Sequence, residues 1–371
     1  MAPQGSQQLG EENRSRMKIV QLVTQMEAAG AQKVAHVLSD GLRALGHDSE
    51  LWFLYKKRPA YDGMPHVRVL FEKRPGPFFL ASVPGRILRA LRKARPDALI
   101  THTHYANVIC QPLAKMAGIP VRIAVQHNPA STFPGIARRL DAALGETSNY
   151  RAIVCVSEHT KDSFDSYAKK YRRKLALITN GVANLPVISG YDVRQKWGVP
   201  ERSRLLVAVG RLSVQKNHHV LIQAMTSLPD TFLLLVGEGE LRESLRSQAR
   251  NLGIEGRIRF TGELSPGEVG TILQSSDLFV FPSLFEAMGL AAVEAMHAAL
   301  PIVGSNIPAL REALGDALEP FDPARPEDLC RAIRLILDDP QRAEQKRQAG
   351  RMQCERFSTD TMVAKYEALV K

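Results

Sequence analysis

The feature that most constrains this chain is a unit that recurs along it: a short apolar run, a turn marked by glycine or proline, then a stretch with helical spacing. Its fullest case lies at 277–304. Asp277-Leu-Phe-Val-Phe-Pro282 reads as a buried strand stopped by Pro282, Leu290–Ala299 as a helix, and Ile302-Val303-Gly304 as the next strand. Strand, loop, helix and strand in that order are the repeating unit of a parallel sheet. The loop and helix, 283-SLFEAMGLAAVEAM-296, place Glu286 ahead of Gly289 and Glu294 inside the helix. A helix N-terminus offers unpaired N–H groups and the positive end of a dipole, which suits a phosphate. Carboxylates on either side of that point can hold hydroxyls, so the stretch predicts a ligand with hydroxyl groups flanking a phosphate.

Traced from Met17, the same unit divides the chain in two. Met17–Thr24 reads as a strand, Ala31–Leu45 as a helix closed by Gly46, and His47–Tyr55 as a second strand. Gly30 stands at the first strand-to-helix turn, but the full GxGxxG pattern of a dinucleotide site is missing, which argues against NAD. Further strands read at Val67–Phe71, Ala98–Thr101, Val121–Val125, Ala152–Val156 and Leu175–Ile178. After the turn Asn180-Gly181, residues 183–192 lack periodicity and carry Pro and Gly. Strands then restart at Leu205–Val209, Phe232–Val236 and Ile258–Phe260. The expected organisation is a flexible polar tail over 1–16, a first Rossmann-like lobe over 17–183, a linker over 184–198, a second lobe over 199–355 and a C-terminal helix over 356–371.

Composition excludes several classes. With 44% apolar and 23% charged residues the chain is of the soluble globular type. The longest apolar candidate, Ala287–Gly304, contains Glu294, His297 and Pro301 and does not read as a membrane span. Cys110, Cys155, Cys330 and Cys354 lack metal or redox spacing and read as reduced thiols, from which a cytoplasmic location is expected. The net charge of +11 is uneven: residues 1–185 hold 27 Lys and Arg against 14 Asp and Glu, and the remainder 22 against 24. The first lobe is therefore expected to face an anionic surface or ligand. Its basic residues gather in 84-PGRILRALRKARPD-97 and 169-KKYRRK-174. The first segment reads either as the solvated side of a core helix or as a side that leans on anionic lipid headgroups, peripheral on the inner face of a membrane. Nothing points to nucleic acid.

The candidate polar residues fall at strand ends. His102 and His104 alternate on an extended segment, so their side chains point apart, which argues against joint chelation of a metal. His127, in 126-QHNPAS-131, follows the strand Val121–Val125, where open α/β sheets bind ligands. In 210-GRLSVQKNHHVLIQAM-225, Arg211 and Lys216 surround a strand–helix junction and make a diphosphate clamp, Arg as a planar fork and Lys as a point charge.

Taken in order, these segments resemble the family 4 glycosyltransferases, whose GT-B fold pairs two Rossmann-like α/β lobes across a cleft between donor and acceptor. The resemblance runs from Met17 almost to the end, through 28-AAGAQKV-34, 101-THTH-104, 126-QHN-128, Asn180-Gly181-Val182, Gly210-Arg211 with Lys216-Asn217, and the pair Glu286 and Glu294. It implies retaining transfer of a hexosyl unit from a nucleotide diphosphate sugar, UDP- or GDP-linked, without a metal or other cofactor. By the same resemblance, Arg211 and Lys216 neutralise the diphosphate and Glu294 accepts the ribose hydroxyls. Glu286 holds sugar hydroxyls, and the amides of Ala287, Met288, Gly289 and Leu290 meet the phosphate. Gly30 lets the first lobe close on the donor, and His127 reaches the sugar from across the cleft. Three positions depart from the family pattern: Met288 stands where Phe is frequent, Ala29-Gly30 replaces two glycines, and Asn128 replaces an acidic residue.

The expected acceptor is a lipid-linked saccharide of an envelope or exported polysaccharide, or a small soluble molecule. Two other readings stay open at this level. One is a nucleotide-sugar epimerase of the same fold, which calls for acid–base groups beyond His127. The other is an inactive nucleotide-sugar-binding or membrane-surface protein.

Overall fold

The computed structural model describes residues 16–27, 29–76 and 82–371. Apart from Arg16, the expected tail lies outside them, as do Ala28 of the first turn and residues 77–81 of the basic loop region. The first lobe holds β1 (Lys18–Met26), β2 (Asp48–Lys56), β3 (Val67–Phe71), β4 (Ala98–His102), β5 (Val121–Gln126), β6 (Ala152–Cys155) and β7 (Leu175–Leu177). They form one parallel sheet in the order β3-β2-β1-β4-β5-β6-β7. The second lobe holds β8 (Arg204–Val209), β9 (Thr231–Val236), β10 (Ile258–Gly262), β11 (Leu278–Phe281), β12 (Ile302–Ser305) and β13 (Leu318–Phe321). Their order, β10-β9-β8-β11-β12-β13, is again parallel throughout. In each sheet the order reverses beside the first strand, between β1 and β4 and between β8 and β11. Crevices for ligands open at the carboxyl ends of strands at such points.

The central strands of the second sheet, β8, β9 and β11, are largely apolar because helices cover both faces. In β9 all six residues of TFLLLV are buried. Leu206, Leu233 and Val280 face one apolar layer while Leu205, Leu234 and Phe279 face the other, as a period of two requires.

The linker expected over 184–198 is only partly irregular. Asp192 caps a short helix, Val193–Trp197, by accepting a hydrogen bond from the Gln195 N–H at 3.0 Å. Val193 and Val199 are buried in the second lobe, so that lobe's packing begins before the expected boundary. The C-terminal helix, Thr359–Val370, packs on the first lobe: Met362, Val363 and Tyr366 lie with Val34, Leu38 and Leu42 of the helix Gly30–Ala44.

Two elements are not apparent in the sequence. The helix Gly135–Gly145 buries Ala137, Asp141 and Gly145 and leaves Ile136 and Leu140 exposed, so its apolar residues do not mark its inner side. β13 is an edge strand with Pro320 in it, and Arg342 and Lys346 hold its Glu319.

The lobes touch at several points. Leu290 packs against the apolar layers of both. Ser157 of the first lobe caps the helix Glu158–Asp162, and its hydroxyl donates to the Ala287 carbonyl of the second at 3.1 Å. Glu312 of the second lobe accepts from the N–H groups of Glu158 and His159 at that helix start, at 2.6 and 2.8 Å. A carboxylate there satisfies orphan donors and complements the helix dipole.

Candidate active site

The cleft is built from the carboxyl ends of both sheets. After β11, Pro282 ends the strand and Gly289 caps the helix Leu290–His297 with φ +84. A Cβ at Gly289 would lie 2.7 Å from Leu310 Cδ2 and 3.1 Å from Phe281 Cε1, so glycine is required for conformation and space alike. Met288 turns away from the cleft and joins the second lobe's core, 3% exposed. An apolar side chain of similar bulk therefore serves where the family pattern has Phe, and only the Met288 backbone is left for a ligand.

Arg211 and Lys216 follow β8. The turn Val214–Lys216 is fastened to the loop before Gly289 by the Leu284 N–H to Gln215 carbonyl bond at 2.8 Å and by Gln215 Nε2 to the Phe285 carbonyl at 3.0 Å. Asn217, left-handed at φ 54, then starts the helix His218–Ala224. This fastening brings Lys216 Nζ to 2.5 Å from Glu286 Oε1 and to 4.5 Å from the centre of the Phe281 ring. The two residues were expected in one site from separate segments, and they are in contact there.

Arg211 meets a partner not foreseen. Its Nη2 lies 3.0 Å from Oε2 of Glu27, a buried carboxylate after β1 that Lys57 also contacts at 3.0 Å. Burial pushes the Glu27 carboxyl up, but the Lys57 hydrogen bond and the Arg211 charge outweigh it and hold it below its ordinary value. Glu27 and Arg211 line a depression between the lobes together with Val209, Val236, Glu263 and Leu264.

Glu294 is buried and paired with Lys33 on the first turn of the helix Gly30–Ala44. Gly30 begins that helix, and a Cβ there would come 3.1 Å from Leu290 Cδ1. The lobes thus come close at Gly30, where a side chain would press on the end of Leu290. The glycine turn was the only signal near Lys33 and Glu27, since neither has a marked sequence context of its own.

His127 stands just beyond β5, 8% exposed. Burial pushes its pKa down to about 4, so the ring is neutral at pH 7. His102 and His104 do not alternate as expected. β4 ends at His102, Thr103 takes φ 77, and His104 opens the next helix. His102 is fully buried against His127, while His104 stacks on Phe133. Among the described residues no three His, Cys, Asp or Glu side chains converge in a way that could hold a metal ion.

Two parallel sheets facing one cleft, with cations and carboxylates at its rim, define the GT-B architecture. Residues 28–183 match the family model described as Glycosyltransferase Family 4, and residues 192–353 the model described as Glycosyl transferases group 1. The chain belongs to the family 4 glycosyltransferases. It is 29% identical over 308 residues to a protein of Mycobacterium tuberculosis named GDP-mannose-dependent alpha-(1-6)-phosphatidylinositol dimannoside mannosyltransferase, covering 79% of each chain. It is 36% identical over 275 residues to a glycogen synthase of the same species, covering 70% of this chain and 64% of the relative. In fold it is similar to Anabaena Alr3699/HepE, solved in complex with UDP and glucose, with a TM-score of 0.81 at 19% identity over 94% of this chain and 98% of that one.

Proposed function

We propose that this enzyme moves a hexosyl unit from a UDP- or GDP-linked sugar to an acceptor hydroxyl with retention of configuration. The observation that carries the reading is the contact of Lys216 with Glu286 in the loop before the helix Leu290–His297, with Arg211 paired to Glu27 on the same segment after β8. Departure of the nucleotide diphosphate leaves an oxocarbenium-like sugar and puts negative charge on the phosphate. Fixed cations and amides aimed at that charge lower the barrier without reorganisation, and these side chains would do so without a metal ion. Glu294 would take the ribose hydroxyls and Glu286 those of the sugar. His127, neutral at pH 7, would serve as a hydrogen-bonding group and not as a charge. The naming of relatives and neighbours for GDP-mannose and for UDP supports a purine or uracil diphosphate equally. A screen of nucleotide sugars for slow donor hydrolysis tests the reading without an acceptor. Hydrolysis of none of them, by protein that is folded, would refute it.

For the acceptor we infer a lipid-linked saccharide, approached at an anionic membrane surface. The helix Ser82–Ala94 buries Ile87 and Leu91 in the first lobe while Arg86, Arg89, Arg92 and Lys93 are exposed. Its inner apolar residues are committed to the core, so attraction to a membrane would be mainly electrostatic. No described helix is long and apolar enough to cross a membrane.

A further inference from the structure

Three polar side chains, on β1, on β4 and just beyond β5, form a chain that ends at His127. β1, β4 and β5 are neighbours, with Val23 opposite His102 and His102 opposite Val125. Counting by twos along each strand puts Gln21, His102 and His127 on one face of the sheet. Gln21 and His102 are both completely buried. Gln21 Oε1 lies 2.9 Å from His102 Nε2, and His102 Nδ1 lies 2.9 Å from His127 Nε2. The two rings are nearly parallel, at 29° with centres 5.2 Å apart. Thr103 holds the end of the strand in place: its left-handed backbone (φ 77) is accompanied by a 2.6 Å hydrogen bond between its hydroxyl and that of Thr24 on β1. A β-branched residue is costly in that region, and such strain persists where surrounding contacts determine it.

We propose that Gln21 and His102 form a buried relay that fixes the ring orientation and tautomer of His127 and leaves its Nδ1 as a hydrogen-bond acceptor for the substrate sugar. The proton positions follow link by link. Gln21 Oε1 can only accept, so His102 Nε2 carries a proton. The neutral His102 then has a bare Nδ1, which accepts from a proton on His127 Nε2. His127 Nδ1 is thereby left with its lone pair. Among the described residues its ring hydrogen-bonds only through Nε2, to His102. Burial pushes both rings far toward the neutral form, which the relay needs, since a protonated ring has no acceptor. His102 is a positioning residue here. It acts on substrate only through His127, and the inference rests on the reading of His127 as a group that touches the sugar.

The test combines nitrogen NMR of ¹⁵N-histidine protein with donor turnover. In the wild type, His127 is expected in one tautomer with the proton on Nε2. In His102→Leu and Gln21→Leu, the His127 signals should shift toward a mixture of tautomers. Turnover should fall about tenfold or more, by the scale on which orienting partners of active histidines act, with the larger change in kcat. His102→Asn, whose Oδ1 can accept from His127 Nε2, should restore both signals and rate. A wild-type proton on Nδ1, an unchanged His127 spectrum in the leucine variants, or equal turnover in the asparagine and leucine variants would each overturn the relay. Failure of His102→Leu to fold leaves the wild-type spectrum and Gln21→Leu to decide. Full activity in His127→Ala would instead defeat the placing of His127 at the sugar, which separates the two failures.

Discussion

Lys33, on the first turn of the first lobe's opening helix, is ion-paired with Glu294, inside a helix of the second lobe. The pair ties the expected ribose ligand to the other lobe, so a ribose that takes Glu294 must share or displace Lys33. Glu294→Ala should weaken UDP or GDP binding roughly tenfold or more, the scale of hydrogen bonds to a charged group. Lys33→Met should alter nucleotide affinity in the wild type and leave it unaltered in the Glu294→Ala background, by the logic of a double-mutant cycle. Calorimetric titration reads both. Independent effects would mean that the pair merely joins the lobes.

Lys216 and Glu286 meet in a partly desolvated place, with side chains 17% and 10% exposed. Removing a fixed cation from the developing diphosphate charge is expected to cost about 10²–10³ in kcat, as for one donor of a preorganised site. Lys216→Ala should show this in donor hydrolysis and transfer alike. Transfer at the wild-type rate would move the leaving group elsewhere.

Gly289→Ala tests the scaffold beneath those charges. At φ +84 an alanine costs on the order of 1–3 kcal/mol, before any clash with Leu310 and Phe281. The melting temperature should fall by several degrees, with loss of activity from a displaced helix start. An unchanged melting curve would show that the turn can adopt another conformation.

Much of this architecture is legible in the sequence because its causes are local. β9 and β11 are runs of apolar residues between turn signals, and Gly46 marks the helix end expected of it. What cannot be read is set by partners far along the chain. Lys33 is an ordinary helical lysine until Glu294 is placed beside it, and His102 joins His127 only once β4 and β5 are neighbours. The helix Gly135–Gly145 conceals itself because its inward residues are Ala, Asp and Gly. Asp141 is satisfied there by Gln126, Tyr150 and Tyr171, a network that no periodicity announces.

Buried neutral histidines give stability a pH dependence of known sign. Burial, followed by the Lys216 and His219 charges, pushes the pKa of His218 down to about 3, and burial pushes that of His127 to about 4. Each is depressed below the ordinary value, so between roughly pH 6.5 and 4 the unfolded chain binds more protons. The stability that these rings contribute is complete above about pH 6.5 and is lost as pH falls through that window. Each contributes a slope of about 1.4 kcal/mol per pH unit there. His218→Leu should flatten the fall in unfolding free energy between pH 6 and 4 by that amount, measured by urea denaturation. A slope equal to the wild type's would show that His218 titrates with an ordinary pKa.

Ionic strength should govern how the basic first lobe meets a membrane. With Ile87 and Leu91 already buried, the helix Ser82–Ala94 has little inner apolar surface to offer a bilayer, whereas its exposed cations can approach one. Polybasic contacts of this kind are worth about 1 kcal/mol per charge near an anionic leaflet and are screened within roughly 10 Å at 0.1 M salt. The protein should therefore sediment with phosphatidylglycerol vesicles at low salt and be released at high salt, with little sedimentation on neutral phosphatidylcholine. Replacing Arg86, Arg89 and Lys93 together by Gln should abolish most of the binding and leave donor hydrolysis in solution unchanged, since none of the three lies in the donor site. Binding that persists at high salt would point instead to exposed apolar groups such as Ile136 and Leu140. Absence of binding at low salt would end the membrane proposal, because attraction between surface charges is strongest there.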